Sequence, residues 1–331
     1  MNHPNFATIA TLNDMITNSI NQAVNLLQNE NVVAIPTETV YGLAGNIFSE
    51  IAIKKIFEIK KRPSFNPLIV HLDSIRSLEK VAKNIPKEAY LLANHFWPGP
   101  LTMIFDKQDT VSKLVTGGKD TVAVRIPNHP VALELLKKVG FPLAAPSANP
   151  FKSISPTSAK HVEKYFEKEQ LLILDGGECQ KGIESTIIGF DKEGIVLYRL
   201  GSLAVESIEK VVGPVRFFTN QDLAPIAPGM LSKHYAPATP FILTANLGEV
   251  VEKNKGKKIG IIRFQEEWVM DNHHVEVLSK NGNLEEATRK LYAILHHLDE
   301  MDLDLIIAEP FPNYGLGKSI NDRLTRASKS E

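Results

Sequence analysis

The run Ile16 to Leu43, ITNSINQAVNLLQNENVVAIPTETVYGL, decides the class of fold. Ile16, Ile20, Val24 and Leu27 recur at helical spacing and make one apolar stripe. Val32-Val33-Ala34-Ile35 is instead a short continuous apolar run ended by Pro36. The first pattern is an amphipathic helix and the second a strand covered on both faces, the basic unit of an α/β domain. Outward from this unit the alternation continues. Ser49 to Lys61 reads as a helix that Pro63 forbids from continuing. A strand at 68–72, helices at 74–82 and 86–95, and a strand at 101–105 follow. A strand at 121–126 then leads into a helix over 128–139. After Pro142, Leu143-Ala144-Ala145 enters a Pro/Ser/Asn loop; a helix at 157–167 and strands at 171–174, 185–190 and 195–199 complete the block. Helix crossovers and consecutive strands both occur, so a mixed, twisted sheet with flanking helices is expected.

Regular periodicity stops between Gly213 and Pro240, where Pro214, Pro225, Pro228, Pro237 and Pro240 punctuate the chain. This reads as a linker. At roughly 3.3 Å per extended residue it can fold back across the first domain. The remainder is a smaller, Rossmann-like α/β unit. Its expected strands are Phe241-Ile242-Leu243, Lys258 to Arg263 and Leu303 to Ala308. Leu284, Ala287, Leu291, Ile294, Leu295 and Leu298 form the stripe of a long helix with Asn283 as N-cap. The expected division is 1–212, a linker or lid at 213–240, and 241–331.

Composition narrows the class further. For 331 residues, about two domains are expected. Hydrophobic content of 43% and charged content of 23% exclude a disordered chain. A net charge of −1 argues against a non-specific nucleic-acid binder. The single cysteine, Cys179, excludes an intrachain disulfide framework and a multi-cysteine zinc site. No apolar run approaches the roughly 18 residues of a membrane span, and the first residues lack a basic-then-apolar signal pattern. A cytoplasmic protein is the expectation.

Four loops concentrate polar chemistry. Pro36-Thr37-Glu38-Thr39-Val40-Tyr41-Gly42-Leu43 puts small hydroxyls and a glycine directly after a strand, a pattern of ligand sites and of plain turns alike. Lys60-Lys61-Arg62-Pro63-Ser64-Phe65-Asn66-Pro67 sets three cations at a helix end. The helix dipole alone would favour them there, while Lys60 and Arg62 facing one cavity would grip a polyphosphate. In Thr121-Val122-Ala123-Val124-Arg125-Ile126-Pro127, alternation puts Arg125 among apolar strand residues. Such an arginine lies on a wet edge or binds a carboxylate, because burial without an anion is costly. Ala145-Pro146-Ser147-Ala148-Asn149-Pro150, with Ser153 and Ser155 behind it, can present amides and hydroxyls to phosphate or simply cap the next helix. Glu184-Ser185-Thr186 and Arg199 add hydroxyls and a cation on the following strands.

Other motifs fail. Pro312 to Ser319 ends like a phosphate-binding Gly-Lys-Ser loop, yet Pro312 stands where its first glycine belongs. His273-His274 and His296-His297 are adjacent pairs that cannot both face one way, which suits surface residues better than metal ligands. Cys179 has no histidine partner nearby in sequence.

Taken in order, PTETVYGL (36–43), KKRPSFNPL (60–68), WPGPLT (97–102), TVAVRIPNHP (121–130), PLAAPSANP (142–150) and IESTII (183–188) resemble the Sua5/YrdC family, the threonylcarbamoyl-adenylate synthases of tRNA modification. APGMLSKHYAP (227–237) and GLGKSINDRLTRAS (315–328) look like the linker and C-terminal signatures of its long, two-domain form. Leu200-Gly201 stands where the family has Pro-Gly, and Ala227 where it has Ser. The resemblance implies that L-threonine, bicarbonate (or CO2) and ATP give threonylcarbamoyl-AMP and pyrophosphate, with Mg2+ riding on the phosphates. A separate transferase would pass the group to adenosine 37 of tRNA, so direct tRNA binding is not required. Position by position, ATP contacts would fall on Arg62, Asn66, Thr121, Ser147, Ser155, Arg199 and Tyr235, with Lys60 and Arg62 as the catalytic cations. L-threonine would meet Thr39, His71, Arg125, the backbone of Ala145, and Ser185. Residues 213–238 would close over the nucleotide, with Tyr235 as the contact. An RNA-binding module without catalysis, or a carbamoyltransferase for another acceptor, are the competing readings.

Overall fold

In the computed structural model, which describes residues 15–218, 234–266 and 273–329, the larger unit begins β1 (Ile16–Thr17), α1 (Ile20–Gln28), β2 (Val33–Ile35), β3 (Gly42–Asn46), α2 (Glu50–Lys60) and β4 (Ile69–His71). It continues β5 (Ala82–Lys83), α3 (Lys87–Phe96), β6 (Leu101–Lys107), α4 (Lys113–Thr116), β7 (Thr121–Arg125), α5 (Pro130–Val139) and β8 (Leu143–Ala144). It ends α6 (Ala159–Phe166), β9 (Ile173–Leu174), β10 (Thr186–Asp191), β11 (Gly194–Arg199), α7 (Val205–Val212) and β12 (Arg216–Phe217). Twelve described strands make one mixed sheet in the order β1-β9-β2-β3-β8-β4-β7-β6-β10-β11-β12, with β5 paired to β6. β4 runs parallel to β7 and antiparallel to β8, so both pairings expected of a mixed sheet are present.

The sequence of β2 follows from its place. Val33 and Ile35 pack with Ala23 and Leu27 of α1 and Leu135 of α5, while Ala34 faces the opposite core with Ile53 and Ile56 of α2. Both faces are covered, so every residue of the strand is apolar. Helix α2 starts where Ser49 accepts a hydrogen bond from the Ala52 amide and stops at Lys61, which takes a left-handed conformation one residue before Arg62.

Two expectations shift. The helix expected at 74–82 is a single stretch of 3-10 helix, Ile75–Lys80, with no side-chain cap at Ser74 and β5 directly after it. The loop after β2 gives way at Gly42 to β3, which was not expected. Glycine is needed there because a Cβ would lie 3.1 Å from the Ala145 Cβ.

β12 pairs in parallel with β11, so the first residues of the Pro-rich segment extend the larger sheet. Residues 219–233, which hold Ala227 and most of the expected lid, lie outside the described residues. The smaller unit comprises β13 (Phe241–Leu243), α8 (Leu247–Lys253), β14 (Ile259–Arg263), β15 (His273–Val277), α9 (Leu284–Asp299), β16 (Leu305–Ala308) and α10 (Leu316–Ala327). Its four described strands are parallel, in the order β13-β16-β14-β15. Ile259, Ile261, Leu305 and Ile307 pack on α8, whereas Ile262, Ile306 and Ala308 pack on α9 and α10. That second core also takes in Val40, Ile154, Ile183 and Tyr235, so α9 and α10 form the layer between the two units. No described helix is long and apolar enough to cross a membrane.

Candidate active site

The strand ends of the larger sheet define one cleft. His71 closes β4 opposite Arg125 at the end of β7, Ala145 follows β8, and Arg199 ends β11. Two loops complete it. Leu43 and Ala148 exchange backbone bonds with Pro146 and Tyr41, which draws the 36–43 and 145–150 loops together. Nine of the thirteen site residues named from the sequence line this cleft: Thr39, Arg62, His71, Arg125, Ala145, Ser147, Ser185, Arg199 and Tyr235.

At one end Arg125 is buried and donates to Glu38 at 2.8 Å and to Thr39 at 2.9 Å. Its strand position wanted an anion, and the anion is a carboxylate of the chain itself; the wet-edge alternative does not occur. The Arg125 Nε has no partner among the described residues. Beside it His71 is held neutral: burial, then the Arg125 charge, push its pKa down to about 3.

At the other end cations gather. Arg62 bonds the carbonyls of Asn66 and Pro67, and burial draws its guanidinium down to about 9. Arg199 reaches the Ser185 carbonyl at 2.9 Å and its hydroxyl at 3.2 Å, while Ser185 also meets Thr102 at 2.8 Å. His234 is depressed well below its ordinary value by burial and then by Arg62, Lys60, Arg199 and Arg323. Among the described residues lining the cleft, Glu184 supplies the one carboxylate. An excess of buried positive charge is what a polyanion would neutralise. Tyr235, buried and in a left-handed conformation, turns its ring into this end, and its hydroxyl has no partner among the described residues.

Four named residues stand off the lining. Lys60 is buried and gives its ammonium to the Ser147 and Asn149 carbonyls, so it holds the loop and does not reach into the cleft. Asn66 is buried beside Arg62, and neither end of its amide has a partner among the described residues. Ser155 donates to Glu184 at 2.6 Å. Thr121 lies at the far end of β7 from Arg125, opposite Asp106.

Sequence reasoning passed over Glu38 as the partner of Arg125, Glu184 as a buried hub, and Tyr292 and Arg323 in the second unit. Glu38 and Glu184 sat inside quoted motifs, but nothing local marked them as buried. The Gly-Lys-Ser segment is the start of α10, where Lys318 pairs with Glu206. Cys179 is buried, and burial pushes its thiol pKa up. The histidine pairs each split: His296 faces inward against His161, while His274 and His297 meet Glu276 outside the cleft.

Comparison with known families agrees with this geometry. A family model described as "Telomere recombination", that of Sua5, YciO and YrdC, matches residues 25–201, and one described as "Threonylcarbamoyl-AMP synthase, C-terminal domain" matches 203–329. The chain belongs to the Sua5/YrdC family, in its two-domain form. It is 42% identical over 321 residues to the threonylcarbamoyl-AMP synthase of Pyrococcus abyssi, covering 92% of this chain and 93% of that protein. The Bacillus subtilis threonylcarbamoyl-AMP synthase is 41% identical over 320 residues, covering 93% and 92%. The crystal structure of P. abyssi Sua5 complexed with L-threonine superimposes with a TM-score of 0.87 over 93% of this chain and 94% of that one.

Proposed function

We infer that the chain is a threonylcarbamoyl-AMP synthase, condensing L-threonine, bicarbonate (or CO2) and ATP to threonylcarbamoyl-AMP and pyrophosphate. The observation that carries the reading is a single cleft with a buried arginine at one end, its Nε left without a partner among the described residues, and a cluster of buried cations at the other. The threonine amine captures CO2 as a carbamate. The carbamate oxygen attacks the α-phosphorus, and pyrophosphate leaves. Nothing in this sequence of steps demands a side-chain nucleophile; placement and charge stabilisation suffice.

Arg125, Thr39, His71, Ser185 and the Ala145 backbone hold L-threonine. Neutral His71 can accept or donate a hydrogen bond without adding charge beside Arg125. Arg62, Arg199, Ser147 and Tyr235 hold ATP, supported by Asn66 and Ser155; the role of Thr121 rests on the family pattern alone. Arg62 is the cation that meets the phosphates, and Lys60 acts through the loop it pins. Glu184 is paired with Arg323 at 3.0 Å, so the described residues lining the cleft include no uncommitted carboxylate for a metal, and Mg2+ would be held by the phosphates themselves. Bound there, Mg2+ supplies further neutralisation of the pyrophosphate. A separate transferase of the cytoplasm consumes the labile product at adenosine 37 of tRNA, and this chain need not bind tRNA.

The test is pyrophosphate release by the purified chain. Turnover that requires ATP, L-threonine and bicarbonate together is expected. Release indifferent to threonine, or tight RNA binding without turnover, would remove the reading.

A further inference from the structure

The segment GLGKSINDRLTRAS has no part in the reaction as assigned, yet its helix, α10, reaches into the cleft wall. Ser319 donates to the Gly201 carbonyl at 2.8 Å. One turn on, Arg323 is completely buried and crosses between the units. Its Nε donates to Glu184 at 3.0 Å, its Nη2 to the Leu200 carbonyl at 2.8 Å, and its guanidinium lies 4.9 Å from the Tyr235 ring centre. From α9, the Tyr292 hydroxyl reaches both Glu184 oxygens, at 3.2 and 3.1 Å, and His296 stands 3.2 Å from the Ser155 carbonyl. Glu184 in turn takes the Ser155 hydroxyl, and the next residue, Ser185, holds Arg199.

We propose that Arg323 is a positioning residue for the nucleotide end of the cleft, fixing Glu184, and through it Ser155, while keeping that carboxylate from competing for Arg199. This rests on the nucleotide-binding reading above. Glu184 lies between two arginines, one from each unit. A buried carboxylate facing a triphosphate repels it unless a cation answers from behind. Without Arg323 the cation whose charge acts most on Glu184 is Arg199, and drawing Arg199 onto Glu184 takes it from the phosphates. The second unit thus supplies the counter-charge that leaves the first unit's cation to its ligand. Its leverage falls on ATP, because Arg125 is held by Glu38 and Thr39, and His71 pairs in register with Arg125, all within the first unit.

The experiment compares wild type with R323M, R323K and the double variant R323M/E184Q. It reads MgATP and L-threonine binding by calorimetry, together with the KM for ATP in pyrophosphate release. R323M is expected to weaken ATP at least about tenfold while L-threonine binding holds. R323K keeps the charge but loses the planar fork, and falls between R323M and wild type. R323M/E184Q, with neither charge left, recovers most of the ATP affinity; it also serves if R323M does not fold. Wild-type ATP affinity in R323M or R323K overturns the proposal, as does equal loss of both ligands with no recovery in the double variant. If the wild type releases no threonine-dependent pyrophosphate, the synthase reading fails. MgATP binding by the same variants still decides the role of Arg323.

Discussion

The Arg125–Glu38 pair, 2.8 Å across and buried, joins a strand end to the loop after β2 within one sheet, whereas Arg323–Glu184, 3.0 Å and equally buried, joins the two units. The chemistry is the same and the assembly is not. The first pair is set once the larger sheet folds. The second exists only when α10 docks. By this comparison one domain builds the proposed threonine end and two domains build the nucleotide end.

The largest effect is expected from Arg125→Ala. It leaves Glu38 buried without its cation, while the Asn128 amide still donates to it at 3.0 Å. We expect a stability loss of about 3–5 kcal/mol in urea unfolding and loss of threonine-dependent turnover by at least about a hundredfold. A loss below about 1 kcal/mol would mean that water reaches the pair, and its likeness to Arg323–Glu184 would end.

What the sequence made legible follows the same line. Arg125 on an alternating apolar strand pointed to a wet edge or an anion, and the stretches 32–35 and 68–72 marked strands. β3 was hidden because two of its five residues, Gly42 and Gly45, are there for close packing and carry no strand propensity. α10 was hidden behind its Gly-Lys-Ser opening, which imitates a phosphate loop. Glu184 and Arg323 are 139 residues apart, and no local period announces a contact made by docking. The cleft's cations could be read from motifs; the carboxylates that balance them could not, because a loop glutamate looks solvated until the fold buries it.

Acid acts on the two ends with a smaller effect. His71 belongs to the proposed threonine end and His296 to the docked layer. Burial, followed by Arg125 for the first and His161 for the second, pushes both pKa values from the ordinary 6.5 down to about 3. Between those limits the unfolded chain binds a proton that the folded chain refuses. The stability each neutral histidine contributes is therefore complete above 6.5 and falls as pH drops toward 3. The slope is about 1.4 kcal/mol per pH unit for each histidine. H71N and H296Q should each flatten the acid limb of a urea-stability profile by one such slope. If both flatten a single transition, the two units unfold together. If H296Q alters only an earlier transition, the docked layer opens first and takes the nucleotide end with it.

The smallest effect is expected at the rim of the same interface. Lys318, in the first turn of α10 and five residues before Arg323, pairs with Glu206 at 2.8 Å, but both side chains are partly exposed, at 29% and 41%. Solvent and salt screen such a pair, and fixing two long side chains has an entropic cost, so Lys318→Ala should change stability by about 0–1 kcal/mol. Raising the salt concentration should erase even that difference, while leaving the ATP defect of R323M intact. The contrast matters because Lys318 and Arg323 sit on one helix and bridge the same two units. A large, salt-resistant loss in K318A would place the docking energy at the rim and make Arg323 one contact among several. A negligible loss would leave the buried pair, together with the apolar layer of α9 and α10, as what ties the second unit to the cleft.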